Sequence, residues 1–234
     1  MLRSKIYDDP AEYAEQQRWW VYAILMGVGG FYGAYTYTVR GGVFCNAQTA
    51  NFVLFAMALG QAHWWKAVYY LIPMSAYFLG AVLSEWAMTS KRWKSPVHWE
   101  TDLIVVEMCV VLALGFLPES APYQICQVAI NFICSMQYNT FRAAQGIPMA
   151  TTFCTNHLRQ TGVFFCQALR SHERRHIKRM LAHVEMLAVF VLGGVVASVL
   201  CGYFQGWAIW AALIPLAALL GDLLLADLKE KDTP

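Results

Sequence analysis

Long apolar stretches separated by short polar connections dominate this sequence, and they constrain its fold more than any other feature. Most of them approach the roughly 20 residues that a helix needs to cross a bilayer. Lipid offers no hydrogen bonds to an exposed backbone, and the stretches lack the alternation of barrel strands, so each is predicted to be α-helical. They cover approximately residues 19–39, 43–60, 67–88, 103–117, 122–141, 149–168, 182–203 and 207–226.

The low charge content supports this interpretation. Charged residues make up 14% of the chain and hydrophobic residues 58%, whereas a soluble domain carries about 25% charge. Such a chain has too few charges to cover a water-facing surface, which argues against a soluble enzyme, a disordered chain and a nucleic-acid binder. The net charge is +2, and the sequence has no basic stripe suited to binding phosphates. From the apolar stretches and the low charge content together we predict a single polytopic membrane domain over residues 1–234.

Positive charge in the connections predicts which side of the membrane each one faces. The connection 89–99 contains Lys91, Arg92 and Lys94, and the connection 170–179 is richer still in arginine. Both are predicted to be cytoplasmic, together with the two termini, whereas the turns 118–122 and 202–206 carry no cation and are predicted to face outward. The cationic residues at the termini are Arg3, Lys5, Arg18, Lys229 and Lys231.

Counting crossings creates a conflict, because eight full spans would put the connection 89–99 on the wrong side. The conflict disappears if residues 19–60, and again residues 122–168, make one net crossing each. A continuous helix over 19–60 would be about 63 Å long, twice the bilayer core. Each region must therefore contain a break or a re-entrant hairpin, and Gly41-Gly42 and Gly146-Ile147-Pro148 are suitable breakers. The prediction is an all-α bundle of about six net crossings.

The two broken regions resemble each other at an offset of 106 residues. Tyr35 aligns with Phe141, and Asn46-Ala47-Gln48-Thr49 aligns with Thr152-Phe153-Cys154-Thr155. Each half contributes an odd number of crossings, so the second half is predicted to be inverted relative to the first, with repeats at about 19–117 and 122–226. Inverted repeats with broken helices are a recurrent transporter design, in which the binding site lies near the bilayer midplane.

Two segments carry a family resemblance. Residues 30–54 read GFYGAYTYTVRGGVFCNAQTANFVL, and residues 137–159 read QYNTFRAAQGIPMATTFCTNHLR. They resemble the two signatures of the YoaK-like family, also called the DUF1275 family: an aromatic glycine-rich stretch before a Thr-Gly-Asn triplet, and a Gln/Arg/Gly stretch before a similar triplet. The resemblance extends over most of residues 20–225. It implies a small protein of the bacterial inner (plasma) membrane and supplies no mechanism.

This chain departs from the family pattern at three places. Gly33 stands where the family usually has aspartate, Ala50 replaces the glycine of the first triplet, and Asn156-His157 replaces Gly-Asn in the second. If the triplets bind a solute, these departures imply altered selectivity or lost activity in this member.

Polar side chains flank both breaks, and such residues are expensive in hydrocarbon and tend to mark function. We predict that they line a midplane site, where the N-termini of half-helices would favour an anionic or carbonyl-bearing solute. The alternative is that they only satisfy backbone groups and bond between helices. The candidate substrate-binding residues are Asn46, Gln48, Thr49, Asn51, Gln137, Asn139, Arg142, Thr155, Asn156, His157 and Arg159.

Glu107 lies inside the apolar run LIVVEMCVVLALG. It is a candidate for proton coupling, although a structural partner such as a tryptophan N–H or a basic side chain would also explain it. His157 has no second ligand at helical spacing, and the seven cysteines form no C-x-x-C pair. No metal site and no cofactor are therefore predicted.

The hypothesis that best accounts for the repeat and its breaks is a transporter or channel for a small polar or anionic solute. A non-transporting membrane scaffold or sensor remains an alternative. An intramembrane lipid-modifying enzyme lacks any catalytic motif, so no enzymatic activity is predicted. The predicted partners are the lipid bilayer and an unidentified small solute, without nucleic acid, and self-association into a homo-oligomer stays open.

Overall fold

The computed structural model describes residues 12–46, 48–90 and 95–231, and over these residues the chain is built from helices joined by short connections. Arg3, Lys5, Ala47, Lys91, Arg92 and Lys94, on which parts of the predicted topology and repeat rest, lie outside the described residues. Within them the α-helices are α1 Trp19–Val39, α2 Gln48–Gly60, α3 Trp64–Thr89, α4 Trp99–Gly115, α5 Tyr123–Thr140, α6 Thr155–Ser171, α7 Arg174–Phe204 and α8 Leu213–Lys231.

Three short elements complete the fold. A two-residue hairpin pairs β1, Ala143–Ala144, with β2, Ile147–Pro148, in antiparallel register. A 3₁₀ helix, Glu15–Gln17, precedes α1, and a second one, Gln205–Ala212, joins α7 to α8. The fold is therefore all-α apart from the small hairpin, as predicted.

Two helices begin later than the apolar stretches that predicted them. α2 starts at Gln48 and not near residue 43, and α6 starts at Thr155 and not near residue 149. The preceding residues form turns and extended backbone, which hydropathy alone does not distinguish from helix.

The predicted loop 170–179 is wrong, because α6 continues to Ser171 and α7 begins at Arg174. Arginine and lysine are good helix formers. The charged residues therefore extend the ends of two helices, and only two residues connect them.

Side-chain contacts establish that α1 and α5 run in opposite directions. Gln127, near the start of α5, donates to the carbonyl oxygen of Arg40, just after the end of α1, at 2.8 Å. Gln137, near the end of α5, donates to the carbonyl oxygen of Leu25, nearer the start of α1, at 3.4 Å.

α3 runs parallel to α5. Tyr69, near the start of α3, donates its hydroxyl to the Gln127 side chain at 3.4 Å, and Asn139, at the end of α5, donates to the Ser84 hydroxyl at 3.0 Å. α1 runs parallel to α7, because Gly27 of α1 packs on Gly193 of α7 and, farther along both helices, the Tyr35 hydroxyl donates to the carbonyl oxygen of Gly206, beyond the end of α7, at 2.9 Å.

The helices α4 and α8 complete the arrangement. The Tyr32 hydroxyl in α1 contacts Glu107 in α4, and farther along α1 the Arg40 side chain donates to the carbonyl oxygen of Leu117, so α1 and α4 are parallel. α8 is antiparallel to α4, because Asp227 near its end bonds to His98 at the start of α4. Accordingly α1, α4 and α7 run one way, and α3, α5 and α8 run the other way.

Glycines set the closest helix contacts. A Cβ on Gly193 of α7 would overlap the carbonyl oxygen of Gly27 in α1, and a Cβ on Gly30 would overlap that of Phe190. A Cβ on Gly80 of α3 would lie 2.5 Å from the carbonyl oxygen of Phe132 in α5. Small residues allow this close approach of backbones, as is common between membrane helices.

After α1 the chain turns back along the helix that it has just completed. Gly41 and Gly42 make this turn with φ angles of 91° and 70°, a left-handed region that glycine enters without strain. Asn46 then lies beside Gly33 and donates to the carbonyl oxygen of Gly29, in the middle of α1, at 3.0 Å. We call residues 41–46 the first doubled-back segment.

The chain turns back a second time after α5. The β1–β2 hairpin turns at Gly146, with φ 74°, and residues 149–154 form the second doubled-back segment. The carbonyl oxygen of Thr151 packs so closely on Gly29 that a Cβ there would lie 2.7 Å from it. Both doubled-back segments therefore meet at Gly29, and both predicted breaks are reversals of the chain, not kinks in a continuous helix.

One end of the bundle is held by an aspartate that joins α8 to the start of α4. Asp227 accepts hydrogen bonds from the backbone N–H of His98 at 3.1 Å and from the hydroxyl of Thr101 at 2.8 Å, and it contacts the His98 ring nitrogen Nδ1 at 2.7 Å. The hydrogen bond to Asp227 and the charge of that carboxylate raise the pKa of His98 above 6.5, against the opposing effect of burial.

This contact predicts a pH-dependent stability. A histidine whose pKa is higher in the folded state than in the unfolded state stabilises the fold at low pH. This stabilisation is complete below the pKa of the unfolded state and is lost as the pH rises through the pKa of the folded state. Because His98 is partly exposed, we expect the melting temperature in detergent to fall by only about 2 °C between about pH 6 and 8.5. His98→Gln should abolish this fall, whereas His63→Gln, at an exposed position, should retain it. An unchanged pH profile in His98→Gln would contradict the assignment.

Candidate functional site

The centre of the bundle is polar where the two doubled-back segments meet. Asn46 from the first segment and Gln137 from α5 are both buried beside α1. The Gln137 side-chain N–H lies 3.4 Å from the carbonyl oxygens of Leu25 and Thr151, so it links α1 to the second segment. A hydrogen-bonded polar centre of this kind specifies how the segments dock.

A row of amides fixes the start of α2 against α5. Gln48 donates to the carbonyl oxygen of Cys45 at 3.1 Å and also bonds to the side chain of Asn131. Asn51, one turn along α2, donates to Gln48 at 3.2 Å, and Asn131 donates to the carbonyl oxygen of Gln127 at 2.7 Å. These contacts hold the N-terminal end of α2 at the middle of α5.

Some buried oxygens in this region have no protein hydrogen-bond partner. They are the hydroxyls of Thr151 and Thr152 and the side-chain carbonyl oxygen of Gln137, all in fully buried residues. Burying such a group unpaired costs about 1–3 kcal/mol, and native proteins retain few of them without a reason. Hydroxyls and an amide oxygen beside a chain reversal are groups that a small polar ligand can contact.

Two further helices begin next to this centre. α2 starts directly after the first doubled-back segment, and α6 starts directly after the second. At α6 the N-cap residue Cys154 makes no side-chain hydrogen bond to the first turn. The first N–H groups of a helix carry a partial positive charge, which favours anions.

The predicted site residues separate into three groups by burial. Asn46, Asn51, Gln137 and His157 are buried, and Gln48, Asn139 and Asn156 are half-buried. Thr49, Arg142, Thr155 and Arg159 are exposed. The structure thus brings only part of the predicted set to the centre.

Arg142 and Asn139 lie at the end of the bundle that also carries the α6–α7 connection, which we call the basic end. Arg142 forms an ion pair with Glu85 of α3, and Asn139 donates to the same carboxylate at 3.1 Å. Both residues line a cavity of about 230 Å³, together with Met149 and Asn156, beside the second doubled-back segment.

A second polar cavity, of about 320 Å³, lies at the opposite end beside the first doubled-back segment. Gly41, Glu119 and Gln205 are among its lining residues. Arg40 also lines it, and this side chain was absent from the predicted set. Each doubled-back segment therefore borders one polar cavity, and the packed amide centre lies between the two.

Arg40 is 1% exposed and has only neutral hydrogen-bond partners in the described structure. Its guanidinium donates to the Tyr35 hydroxyl at 3.0 Å and to the carbonyl oxygens of Leu117 and Pro118 at 3.1 and 3.5 Å. A cation there complements the partial negative charge at the C-terminal end of α4. Its position directly before Gly41-Gly42 was the sequence signal that could have identified it.

Glu107 is fully buried and pairs with a tyrosine, not with a tryptophan or a basic side chain as the sequence had suggested. The Tyr32 hydroxyl donates to one carboxylate oxygen at 2.8 Å, and the other oxygen has no protein partner.

The predicted set of site residues also lacked Gln127 and Asn131. Two amides four residues apart within an apolar stretch are a recognisable signal.

His157 contacts another histidine across the α6–α7 interface. Its Nε2 lies 2.8 Å from the carbonyl oxygen of Ala150, in the second doubled-back segment, and its Nδ1 lies 3.0 Å from the Nδ1 of His183. Both imidazoles are fully buried. Over residues 12–46, 48–90 and 95–231 no group of three or more histidine, cysteine, aspartate or glutamate side chains is arranged to hold a metal ion.

The exterior contrasts with the polar centre. Large apolar side chains, among them Phe78 and Val191, are exposed on the outer faces of the helices. Two helical runs are long and apolar enough to cross a membrane, Trp64–Thr89 and Arg174–Lys231, of which the second contains α7, the 3₁₀ helix and α8. An apolar helical surface with two runs of membrane-spanning length is typical of a helical membrane protein.

The chain belongs to the DUF1275 family, whose description reads protein of unknown function. The family match covers residues 21–221, which includes both doubled-back segments and all of α1 except its first two residues. No curated protein and no solved structure matches the chain.

Proposed function

We propose that this protein is a transporter or channel for a small polar or anionic solute, which binds where the two doubled-back segments meet. The observation that carries the proposal is their shared contact with Gly29 in the middle of α1. Asn46 makes this contact from the first segment and Thr151 makes it from the second. Non-helical backbone inside a membrane protein is tolerated where it is buried or lines a pathway.

An inverted repeat is part of the proposal. α1 runs in the opposite direction to α5. α1 packs parallel to α7, and α5 packs parallel to α3, so the helix that pairs with α5 is the counterpart of the helix that pairs with α1. Gly193 and Gly80 make equivalent close contacts in the two halves. Burial also follows the offset of 106 residues, since Asn51 and its counterpart His157 are both buried, while Thr49 and its counterpart Thr155 are both exposed. These correspondences support a head-to-tail arrangement of two similar halves.

We propose six full crossings, by α1, α3, α4, α5, α7 and α8, with α2 and α6 starting at the centre and reaching one side only. We propose that the basic end faces the cytoplasm, because Arg174, Lys178 and Arg179 cluster there at the start of α7. A multi-pass protein of the inner (plasma) membrane with both termini on the cytoplasmic side is consistent with these directions.

The chemistry of the centre favours an anion or a carbonyl-bearing solute. The helix N-termini at Gln48 and Thr155 supply partial positive charge, and the hydroxyls of Thr151 and Thr152 can donate hydrogen bonds. A polar cavity at each end, separated by a closed centre, is suited to alternating access in which one side opens at a time. The proposal assigns no catalytic step to these residues.

Valine in place of Thr151 and Thr152 tests the proposed site. Because neither hydroxyl has a protein partner, the isosteric change removes no protein hydrogen bond and should not lower the melting temperature. If the hydroxyls contact the solute, flux should fall by about 10- to 100-fold, the equivalent of one hydrogen bond to a charged ligand. The measurement is uptake of chloride, nitrate, sulfate and urea into proteoliposomes containing the wild-type or variant chain.

Thr161→Val is the matched control, since its hydroxyl is already bonded to the carbonyl oxygen of His157 at 2.8 Å on α6. Flux through this variant should equal that of the wild type. Wild-type rates in both central valine variants would exclude Thr151 and Thr152 from the pathway, and no flux of any probe through the wild-type protein would argue against transport of these solutes.

A non-transporting scaffold is the second candidate. It is favoured by the mutual bonding of Gln48, Asn51 and Asn131, which is sufficient to stabilise the start of α2 without any ligand. On this alternative neither the wild type nor the central valine variants carry any probe, and the substitutions leave stability unchanged.

A further inference from the structure

The contact between His157 and His183 restricts where their protons lie. The Ala150 carbonyl can only accept, so the Nε2 of His157 carries a proton. In the neutral pair the Nδ1 of His157 then accepts a hydrogen bond from the Nδ1–H of His183, 3.0 Å away. The Nε2 of His183 is left without a proton and has no hydrogen-bond partner, although it is buried.

This free nitrogen is the one place on the pair that can accept a further proton. If a proton binds there, the proton on Nδ1 of His183 can pass to Nδ1 of His157. The Ala150 carbonyl accepts a hydrogen bond but not a proton, so the proton on Nε2 of His157 leaves to a water molecule or a bound anion at the second doubled-back segment. One proton enters the pair and one leaves, both rings are then neutral, and their reorientation restores the original tautomers.

The surroundings connect the pair to the basic end. The Phe164 ring stacks on the ring of His183 with centroids 5.8 Å apart, and the Arg179 guanidinium lies 5.6 Å from the same phenylalanine ring. The charged and titratable groups that face the pair are Arg159 and His176 as well as Arg179. The pair thus lies between the arginines at the start of α7 and the centre of the bundle.

We propose that His157 and His183 form a proton-binding pair that couples solute movement to the movement of a proton between the basic end and the second doubled-back segment. The inference rests on the proposed function for its transport step, but the proton-binding pair itself does not. Ala150, which His157 contacts, directly precedes Thr151 and Thr152, so a charge on the pair would lie next to the proposed solute site.

Coupling follows from electrostatics. Arg159 and Arg179 already place positive charge near the pair, and a bound anion offsets that charge when a proton is added. Anion and proton therefore favour each other's binding, and this coupling is reciprocal. The pair accounts for proton coupling through a defined hydrogen-bond chain, in contrast to Glu107, whose described hydrogen-bond partner is the Tyr32 hydroxyl alone.

Nitrogen NMR of the full-length chain in lipid nanodiscs, labelled with ¹⁵N-histidine, tests the pair without any solute. We expect a coupling across the hydrogen bond between the two Nδ1 nuclei, and uptake of one shared proton by the pair as the pH is lowered. His183→Gln should remove the coupling and the joint titration, whereas His172→Gln, at an exposed position, should leave both intact. Absence of the coupling, or two independent titrations, would overturn the pair.

Proton coupling is tested with chloride and nitrate, whose conjugate acids do not carry protons across lipid. Proteoliposomes contain a pH-sensitive dye, and potassium with valinomycin clamps the membrane potential. We expect anion uptake through the wild type to acidify the lumen in proportion, and His183→Gln to reduce the proton-to-anion ratio to background while anions still enter. His172→Gln should behave as the wild type.

The outcomes separate the two proposals. Anion flux through the wild type without a change in luminal pH, or an unaltered ratio in His183→Gln, overturns the coupling and leaves transport intact. Absence of wild-type flux for both anions counts against the proposed function and removes the coupling with it, and the NMR titration then decides whether the proton-binding pair exists.

Discussion

Replacing Gly193 with leucine is expected to prevent normal assembly of α1 and α7. Any side chain at this position would overlap the carbonyl oxygen of Gly27, and a backbone atom within a packed helix has little freedom to move. Overpacking typically costs about 1–3 kcal/mol and sometimes more. We expect the upper end of that range, which lowers the melting temperature in detergent by about 6–12 °C or leaves the protein aggregated on size exclusion.

Gly202→Leu is the matched control because it lies on the same helix, is exposed, and has no atom within 4 Å of an added Cβ. Leucine is the better helix former, so this variant should be as stable as the wild type. Gly80→Leu, at the equivalent contact with Phe132, should behave like Gly193→Leu. A fully stable Gly193→Leu protein would show that α1 and α7 do not pack as described.

Replacing Arg40 with methionine is expected to destabilise the protein by about 2–4 kcal/mol. The change removes the hydrogen bonds that the guanidinium donates to the buried Tyr35 hydroxyl and to the carbonyl oxygens of Leu117 and Pro118. A hydrogen bond to a charged group contributes about 1.5–3 kcal/mol, and part of the loss is offset because a buried charge is removed. The melting temperature should fall by about 4–16 °C. Lysine should rescue only partly, since a single ammonium group cannot reproduce the spread of guanidinium donors.

Arg175→Met provides the comparison, because this arginine has a side chain that is 71% exposed in a surface ion pair with Glu173. Surface pairs contribute about 0–1 kcal/mol, so its melting temperature should stay near that of the wild type. If Arg40→Met melts within about 1 °C of the wild type, the guanidinium does not cap α4 as described.

Parts of the candidate site were predictable because they leave local signals. Gly41-Gly42 and Gly146 were identified as breaks, and each makes a turn with positive φ. The polar residues after them were flagged, and Asn46 and Gln137 do lie in the buried centre. Burial of the individual residues after each break was not predictable, since Thr49 and Asn51 are only two residues apart and yet are exposed and buried respectively.

The contacts of the buried residues could not be predicted from the sequence, because their partners come from distant parts of the chain. Tyr32 and Glu107 are 75 residues apart, and Tyr35 and Gly206 are 171 apart. Hydropathy assigns each residue to a helix but not to a face or a neighbour. For the same reason Arg40, which follows the apolar stretch 19–39, was given no role, and its capping of α4 emerged only when the two helix ends were brought together.

The sequence alone determined that this chain is a bundle of apolar helices interrupted at two glycine-containing breaks. Scarce charge and the need to satisfy backbone hydrogen bonds in lipid leave no other arrangement. Only the tertiary structure decided that the breaks are reversals meeting at Gly29, and that His157 faces His183. Those features depend on how α1, α5 and α7 pack against one another, and close packing between distant segments is not encoded in any local pattern.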